Sequence, residues 1–393
     1  MNKKDLADIR KEFKLGSYML PIKEVYSVYI KKDNGEIITR ELEHFEMMEV
    51  EKRELYLNNF KKVLTGSLDS KIFELDFKEL NEEKGIEVSE STQQILYGAL
   101  NSKESTAEFG DKIVDKISQN YTYDTDVVIN FIRAEYYSGG KKNRGEENSE
   151  AEDYVQAVEF ILCSVNKVEI PKKVLKFDYA EMKFKPNSAL DMTINLNSPL
   201  DGFMFPSFTS QYVDVNKVIY YSSKAKQING TFVEKVLECT IKPTAAEEKE
   251  NFNTVLGAAV GGKIKPDVMQ DVYERISGKL EEDEEEDPTL DVNEVARVLS
   301  ESGVKNVESV KNAFQEVCGE NYEFKARNVV PDFKSKSIKI ENENTSITIR
   351  PQDLSSVKQV VDKRGKKCLL IELKEDMVVN GLNLETEKIE EYI

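Results

Sequence analysis

The spacing of apolar residues changes twice along this chain, and that change limits the folds open to it. Between residues 25 and 221 most apolar segments alternate or form short continuous runs, as strands do. Between 244 and 317 apolar residues recur at three- and four-residue spacing, and between 337 and 384 they alternate again. Strict one-for-one interleaving of helix and strand builds parallel sheets, whereas segregated blocks build α+β folds. The expected class is therefore α+β, with mixed or antiparallel sheets, a helical insert and a small C-terminal β-rich region.

A chain of 393 residues exceeds one average core. The period changes divide it into an N-terminal α+β domain at 1–243, a helical region at 244–320 and a C-terminal β-rich region at 321–393. Residues 25–38 read as a hairpin around Asp33-Asn34-Gly35, 51–64 as a helix and 71–77 as a strand. Short helices are expected at 91–100 and 109–117, and strands at 127–137, 155–168, 174–184 and 213–221. The stretch 138–153, rich in Gly, Lys, Asn and Glu, reads as a mobile loop. Residues 198–208, with Pro199, Gly202 and Pro206, read as a constrained irregular segment.

Thr244-Ala-Ala-Glu247 fits a capping box opening a helix to about 256, and Pro266 opens another to 277. The acidic run 281–287 reads as a solvated linker. Helices at 291–300 and 307–317 flank Gly303, and strands are expected at 337–341, 346–350, 357–361 and 368–373, with a last edge at 378–384.

Composition removes several function classes. Seventy-three acidic against 55 basic side chains give a net charge of −18, which repels phosphate backbones, so nucleic acid is an unlikely partner. The N-terminus carries charges where a signal peptide needs an apolar run, and no segment approaches the ~20 apolar residues of a membrane span. A soluble, cytoplasmic protein without membrane association is expected. The cysteines Cys163, Cys239, Cys318 and Cys368 have no paired spacing, so buried free thiols are expected rather than disulfides or a zinc site. With one histidine, His44, any imidazole-based triad would have to use that residue.

Several stretches carry a family resemblance: NKKDLADIRKEFKL at 2–15, LTGSLDSKIFELDF at 64–77, SPLDGFMFPSF at 198–208, TAAEEKENF at 244–252 and VVNGLNLE at 378–385. Together they resemble a widespread family of uncharacterised Firmicutes proteins, a domain-of-unknown-function family, over nearly the whole chain. Met204 and Ser207 depart from that family's commoner Leu and Ala. The resemblance implies no activity, cofactor or catalytic residue.

The candidate sites are ranked by chemistry. Gly257 to Lys263 has the G-x4-G-K spacing of a phosphate loop, but a helix precedes it, Ile264 replaces the magnesium-binding hydroxyl and Pro266 follows; a turn between helices is the better reading. The 281–287 run lacks the spacing of a calcium loop. His44 among Glu41, Glu43 and Glu46 reads as a surface residue, and the basic run 141–144 as solvated loop. Asp353, Asp362, Glu372 and Lys374 contain the residue types of a metal-dependent nuclease with a D…E-x-K core. Alternating charge on a wet strand face produces the same string.

Phe203, Phe205 and Phe208, stiffened by prolines, form a candidate contact for a partner protein, although filling the core beneath a turn is the plainer role for them. The expected function is a non-enzymatic protein-binding or adaptor module with no cofactor and no metal. The alternative is a metal-dependent hydrolase or nuclease using the carboxylates of the C-terminal sheet.

Overall fold

A computed structural model describes residues 1–78, 90–102, 105–138, 156–170, 175–186, 192–209, 212–282, 288–304, 307–319 and 322–386. The expected loop at 138–153, apart from Ser138, therefore lies outside the described residues together with its basic run 141–144. So does most of the acidic run 281–287. The chain forms two compact units, Met1–Thr244 and Ala245–Ile393.

The first unit contains α1 (Lys3–Glu12), β1 (Ile22–Ile30), β2 (Ile37–His44), α2 (Val50–Val63), β3 (Ile72–Asp76), α3 (Thr92–Asn101), α4 (Thr106–Asn120), β4 (Val127–Ser138) and β5 (Gln156–Glu169). These are followed by β6 (Leu175–Asp178), β7 (Lys183–Pro186), β8 (Thr193–Ile194), β9 (Asp201–Phe205), β10 (Ser207–Phe208), β11 (Val213–Asp214) and β12 (Lys217–Ser222). The main sheet runs β2-β1-β4-β5-β9-β12-β3 with every neighbour antiparallel, and β8 pairs with β5. Both faces of the central strands are buried, which explains why 127–137 is a continuous apolar run with no period of its own.

Helices cover both faces. On one, Ile95 and Leu96 of α3, Phe109, Ile113 and Ile117 of α4, and the π-helical turn Phe232–Val236 pack on Tyr26, Phe131, Cys163, Phe203 and Tyr220. On the other, Leu6 and Ile9 of α1 and Tyr56, Leu57, Phe60 and Val63 of α2 pack on Val25, Ile132, Phe160, Leu162 and Met204. Capping boxes start α1 (Asn2 with Asp5) and α3 (Ser91 with Gln94). Gly202 lets α2 sit close to the sheet. A Cβ there would fall 2.8 Å from the Cys163 carbonyl oxygen and 2.9 Å from both Val63 methyls.

Two expectations are corrected, and one helix is new. Residues 198–208 are not irregular: β9 occupies the middle of the sheet, and Pro206, after a cis peptide bond, stands between β9 and β10 where no ladder bond is needed from it. The single strand expected at 174–184 is instead the β6–β7 hairpin, outside the main sheet. Helix α1 is absent from the reading above, because its run of charges masks the two buried positions Leu6 and Ile9.

The second unit packs α5 (Ala245–Ala259), α6 (Pro266–Glu282), β13 (Thr289–Leu290), α7 (Val292–Glu301), α8 (Val307–Cys318), β14 (Phe324–Lys325) and α9 (Ala326–Val329) around Phe252, Val272, Ile276, Leu299, Phe314 and Phe324. Asp291 caps α7 through the Glu294 amide at 2.7 Å. Glu248, buried in α5, accepts from Tyr322 Oη at 2.8 Å, from the Lys325 amide at 3.2 Å and from Asn328 Nδ2, tying α5 to β14 and α9. Gly261 and Gly262 take positive φ after α5, and Gly262 N donates to Gly257 O at 2.8 Å, so the glycine string forms a helix-ending turn.

The rest of this unit is β15 (Ile338–Glu341) with β16 (Ser346–Ile349), β17 (Val357–Val361) with β18 (Lys367–Ile371), and β19 (Val378–Val379) with β20 (Leu382–Asn383). These are three separate two-stranded hairpins, not one C-terminal sheet. The protein is α+β.

Candidate functional site

The aromatic trio is interior. Phe203 and Phe205 are fully buried on the α4 side of β9, and Phe208 is buried on the opposite face against Tyr136 and Phe160, with ring centroids 5.9 and 6.4 Å away. The candidate partner contact is corrected in favour of the plainer core-filling role: Phe203 and Phe205, two apart on β9, share one buried face, and Phe208 of β10 lies in the core on the other.

The same segment holds a group the sequence reading passed over. Asp201, 4% exposed, accepts from Tyr220 Oη at 2.6 Å through Oδ1, and from Tyr123 Oη at 3.2 Å and Asn229 Nδ2 at 3.1 Å through Oδ2. Burial raises its pKa, outweighing the three donors that stabilise its ionised form. The neighbouring Tyr220 and Tyr123 hydroxyls and the buried Cys163 thiol are pushed up by burial and then by the Asp201 carboxylate. The cavity lined by Tyr121 and Tyr123 is about 30 Å³, room for one water. The cluster can hold a proton, and the cavity beside Tyr123 is too small for a substrate. An acid between Leu200 and Phe203 in an apolar run was the available signal.

The C-terminal carboxylates do not converge. Lys374 Nζ is 3.7 Å from Asp353 Oδ1, and Glu372 faces Lys358 Nζ at 3.5 Å. Asp362 sits at the other end of the β17–β18 hairpin, accepting from the Arg364 and Lys366 amides at 2.9 and 2.7 Å. Its side chain is occupied in closing the turn, roughly four strand residues, ~13 Å, from the Glu372 end. Among the described residues no group of three or more His, Cys, Asp or Glu side chains is arranged to hold a metal ion. His44 is exposed at the end of β2. Cys163 and Cys239 are buried free thiols, whereas Cys368 is exposed on β18, contrary to expectation.

An unusual surface among the described residues is the β6–β7 hairpin. Leu175, Tyr179, Met182 and Phe184 are 72, 83, 71 and 75% exposed. Phe177 pairs directly with Phe184, placing both on one hairpin face, and its ring meets Phe184 at 5.3 Å and Tyr179 at 5.0 Å edge-on. The turn is held by Asp178 Oδ1, which accepts from the Ala180 and Glu181 amides at 3.0 and 3.2 Å, and by Lys185, which pairs with Asp178 at 3.3 Å and with Glu181. Met182 takes φ +51°, an uncommon conformation for a side chain that is left in water. Aromatic and methionine side chains on a braced support are what a protein contact uses.

No helix among the described residues is long and apolar enough to cross a membrane. A search of curated proteins finds no match. The family described as Domain of unknown function (DUF4317) matches residues 1–382 and so takes in the first compact unit and most of the second, with Glu248 and its partners, the Asp201 cluster and the β6–β7 hairpin. The chain belongs to the DUF4317 family.

Proposed function

We propose that this protein is a non-enzymatic, cytoplasmic protein-binding module whose contact is the β6–β7 hairpin. One observation carries the reading: four large apolar side chains, Leu175, Tyr179, Met182 and Phe184, stand more than two-thirds exposed on one braced hairpin. Burying such side chains contributes roughly 1.5–3 kcal/mol each, which a partner with an apolar groove gains on association. Preorganisation by the Asp178 turn and the Phe177 contacts lowers the ordering cost of binding. The carboxylate alternative lacks comparable support, since Asp362 stands away from Asp353 and Glu372.

The test is affinity purification with the tagged full chain, beside a variant carrying Tyr179→Ser, Met182→Ser and Phe184→Ser. Each captured protein is then purified and its affinity for both forms measured. The expected result is a partner whose Kd rises at least tenfold in the variant while circular dichroism is unchanged. If sedimentation shows loss of self-association instead, the partner is a second copy. A folded variant that keeps every interaction at parental affinity refutes the hairpin as the contact.

A further inference from the structure

On the sheet face covered by α1, a cavity of about 410 Å³ opens between that helix and the ends of β4 and β5. This volume is within the range of small-molecule sites. Away from α1 its lining combines Met19, Tyr136, Val158 and Phe208 with the more polar Tyr137, Ser138 and Thr209. Its wall is one stripe of α1, in which Asp5, Asp8 and Glu12 outnumber Lys4 and Lys11. Separations of three, four and seven residues put these five side chains on the same side of the helix.

Tyr136 makes the cavity more than an acidic groove. It is 9% exposed, it lines the cavity, and no described residue hydrogen-bonds its hydroxyl. Its pKa is pushed up to about 12, first by burial and then by the carboxylates of Asp8, Glu12 and Asp5. A neutral phenol in a negative potential is an acceptor suited to a cationic donor. Aromatic rings in the lining, Tyr136 and Phe208, favour the same charge.

Among the described residues, the carboxylates are engaged by groups on α1 or its flanks. Lys11 Nζ lies 2.7 Å from Asp8, Lys14 Nζ 3.6 Å from Glu12, the Ser17 hydroxyl donates to Glu12 at 2.5 Å, and the Asn2 amide to Asp5 at 3.2 Å. The Lys11–Asp8 pair faces solvent, and pairs of that kind are weak and exchange readily with a competing cation. Asp5 and Glu12 are seven residues apart, about 10 Å along the helix axis. A ligand with charge at both ends and an aliphatic middle matches that spacing and the apolar members of the lining.

We propose that this cavity binds a linear aliphatic di- or polyamine, with its ammonium groups held by Asp5, Asp8 and Glu12 and its methylene chain lying on Tyr136 and Phe208. The site is independent of the hairpin contact proposed above. Lys11 acts as the internal competitor, and the bound amine takes its place at Asp8.

The experiment is calorimetric titration of spermidine into the full chain at fixed ionic strength, with magnesium chloride as a charge control. Saturable one-to-one binding is expected. Asp8→Asn weakens it at least tenfold, Tyr136→Phe weakens it a few fold, and Lys11→Ala tightens it a few fold. Glu341→Gln, in the other compact unit, removes the same charge as Asp8→Asn and leaves the affinity unchanged. Equal weakening by Asp8→Asn and Glu341→Gln would reveal only diffuse attraction to a chain of net charge −18 and overturn the proposal. Binding that does not saturate, magnesium binding of equal strength, or weakening by Lys11→Ala would overturn it as well. Asp8 and Lys11 are solvent-facing, so their variants report on binding even if Tyr136→Phe perturbs the fold.

Discussion

Asp201 shows how far one residue's chemistry depends on its surroundings. Its carboxyl accepts three hydrogen bonds, which favour ionisation, yet burial wins and its pKa is raised above the ordinary 3.8. The folded state thus holds this proton more tightly than the unfolded chain. The stability contributed by protonated Asp201 is fully present below pH 3.8 and declines as pH rises through the raised folded value. Asp201→Asn has no titration of its own and turns one acceptor into a donor facing Asn229, at a cost of about 1–3 kcal/mol in acid. The stability gap between parent and variant should therefore narrow from acid toward neutral pH. Thermal melts of both proteins across that range check it, and a gap that widens toward neutrality would mean that the fold favours the ionised carboxylate. The acid was visible in the sequence, but Tyr123, Tyr220 and Asn229 are brought to it by strand pairing and a turn that no local pattern specifies.

At the scale of elements, the central strands carry a polar seam beneath α2. Ser27, Asn130 and Ser164 stand opposite one another on β1, β4 and β5. Ser27 Oγ donates to Asn130 Oδ1 at 2.8 Å and meets Tyr56 Oη at 3.0 Å. Asn59 of α2 accepts from Ser164 Oγ at 2.6 Å and donates to Asn166 Oδ1 at 2.6 Å and Leu196 O at 2.7 Å. A slip of one residue in any of these strands would turn a polar side chain to the opposite face and leave its partners buried and unpaired, so the seam fixes register. Asn59→Ala should destabilise the fold by about 2–4 kcal/mol, because it strands Ser164, Asn166 and the Leu196 carbonyl. Urea denaturation of Asn59→Ala, Ser164→Ala and the double variant should give a coupling of about 0.5–3 kcal/mol; additivity within about 0.5 kcal/mol would show that the seam is not a network. Strands β4 and β5 were legible as apolar runs. Their register was not, since Asn130 and Ser164 look like isolated polar residues until the long connection between the strands is closed.

For the whole molecule, the alternation at the C-terminus was legible as strands, yet it did not reveal what those strands pack against. Isolated two-stranded hairpins are marginal in water, and among the described residues β15 to β20 form nothing larger. What anchors this region is the short 3-10 helix Pro351–Ser356, which lies on α6: Leu354 is buried, as is Val357 just beyond the helix, and the Ser355 amide donates to Gln270 Oε1 at 2.7 Å. Ile338 and Phe333 lean on the same helical core. The structural division of the chain accordingly falls at Thr244, with the helices and hairpins together on its C-terminal side. Expressed alone, 1–244 and 245–393 should each unfold cooperatively on heating, because each contains the buried side chains that its own core requires. A fragment 321–393 should show no cooperative transition, having left α6 and its Gln270 contact behind. Circular dichroism melts of the three fragments decide the matter. A cooperative melt of 321–393, or a 245–393 fragment with helical signal but no transition, would show that the hairpins and helices are not one folding unit.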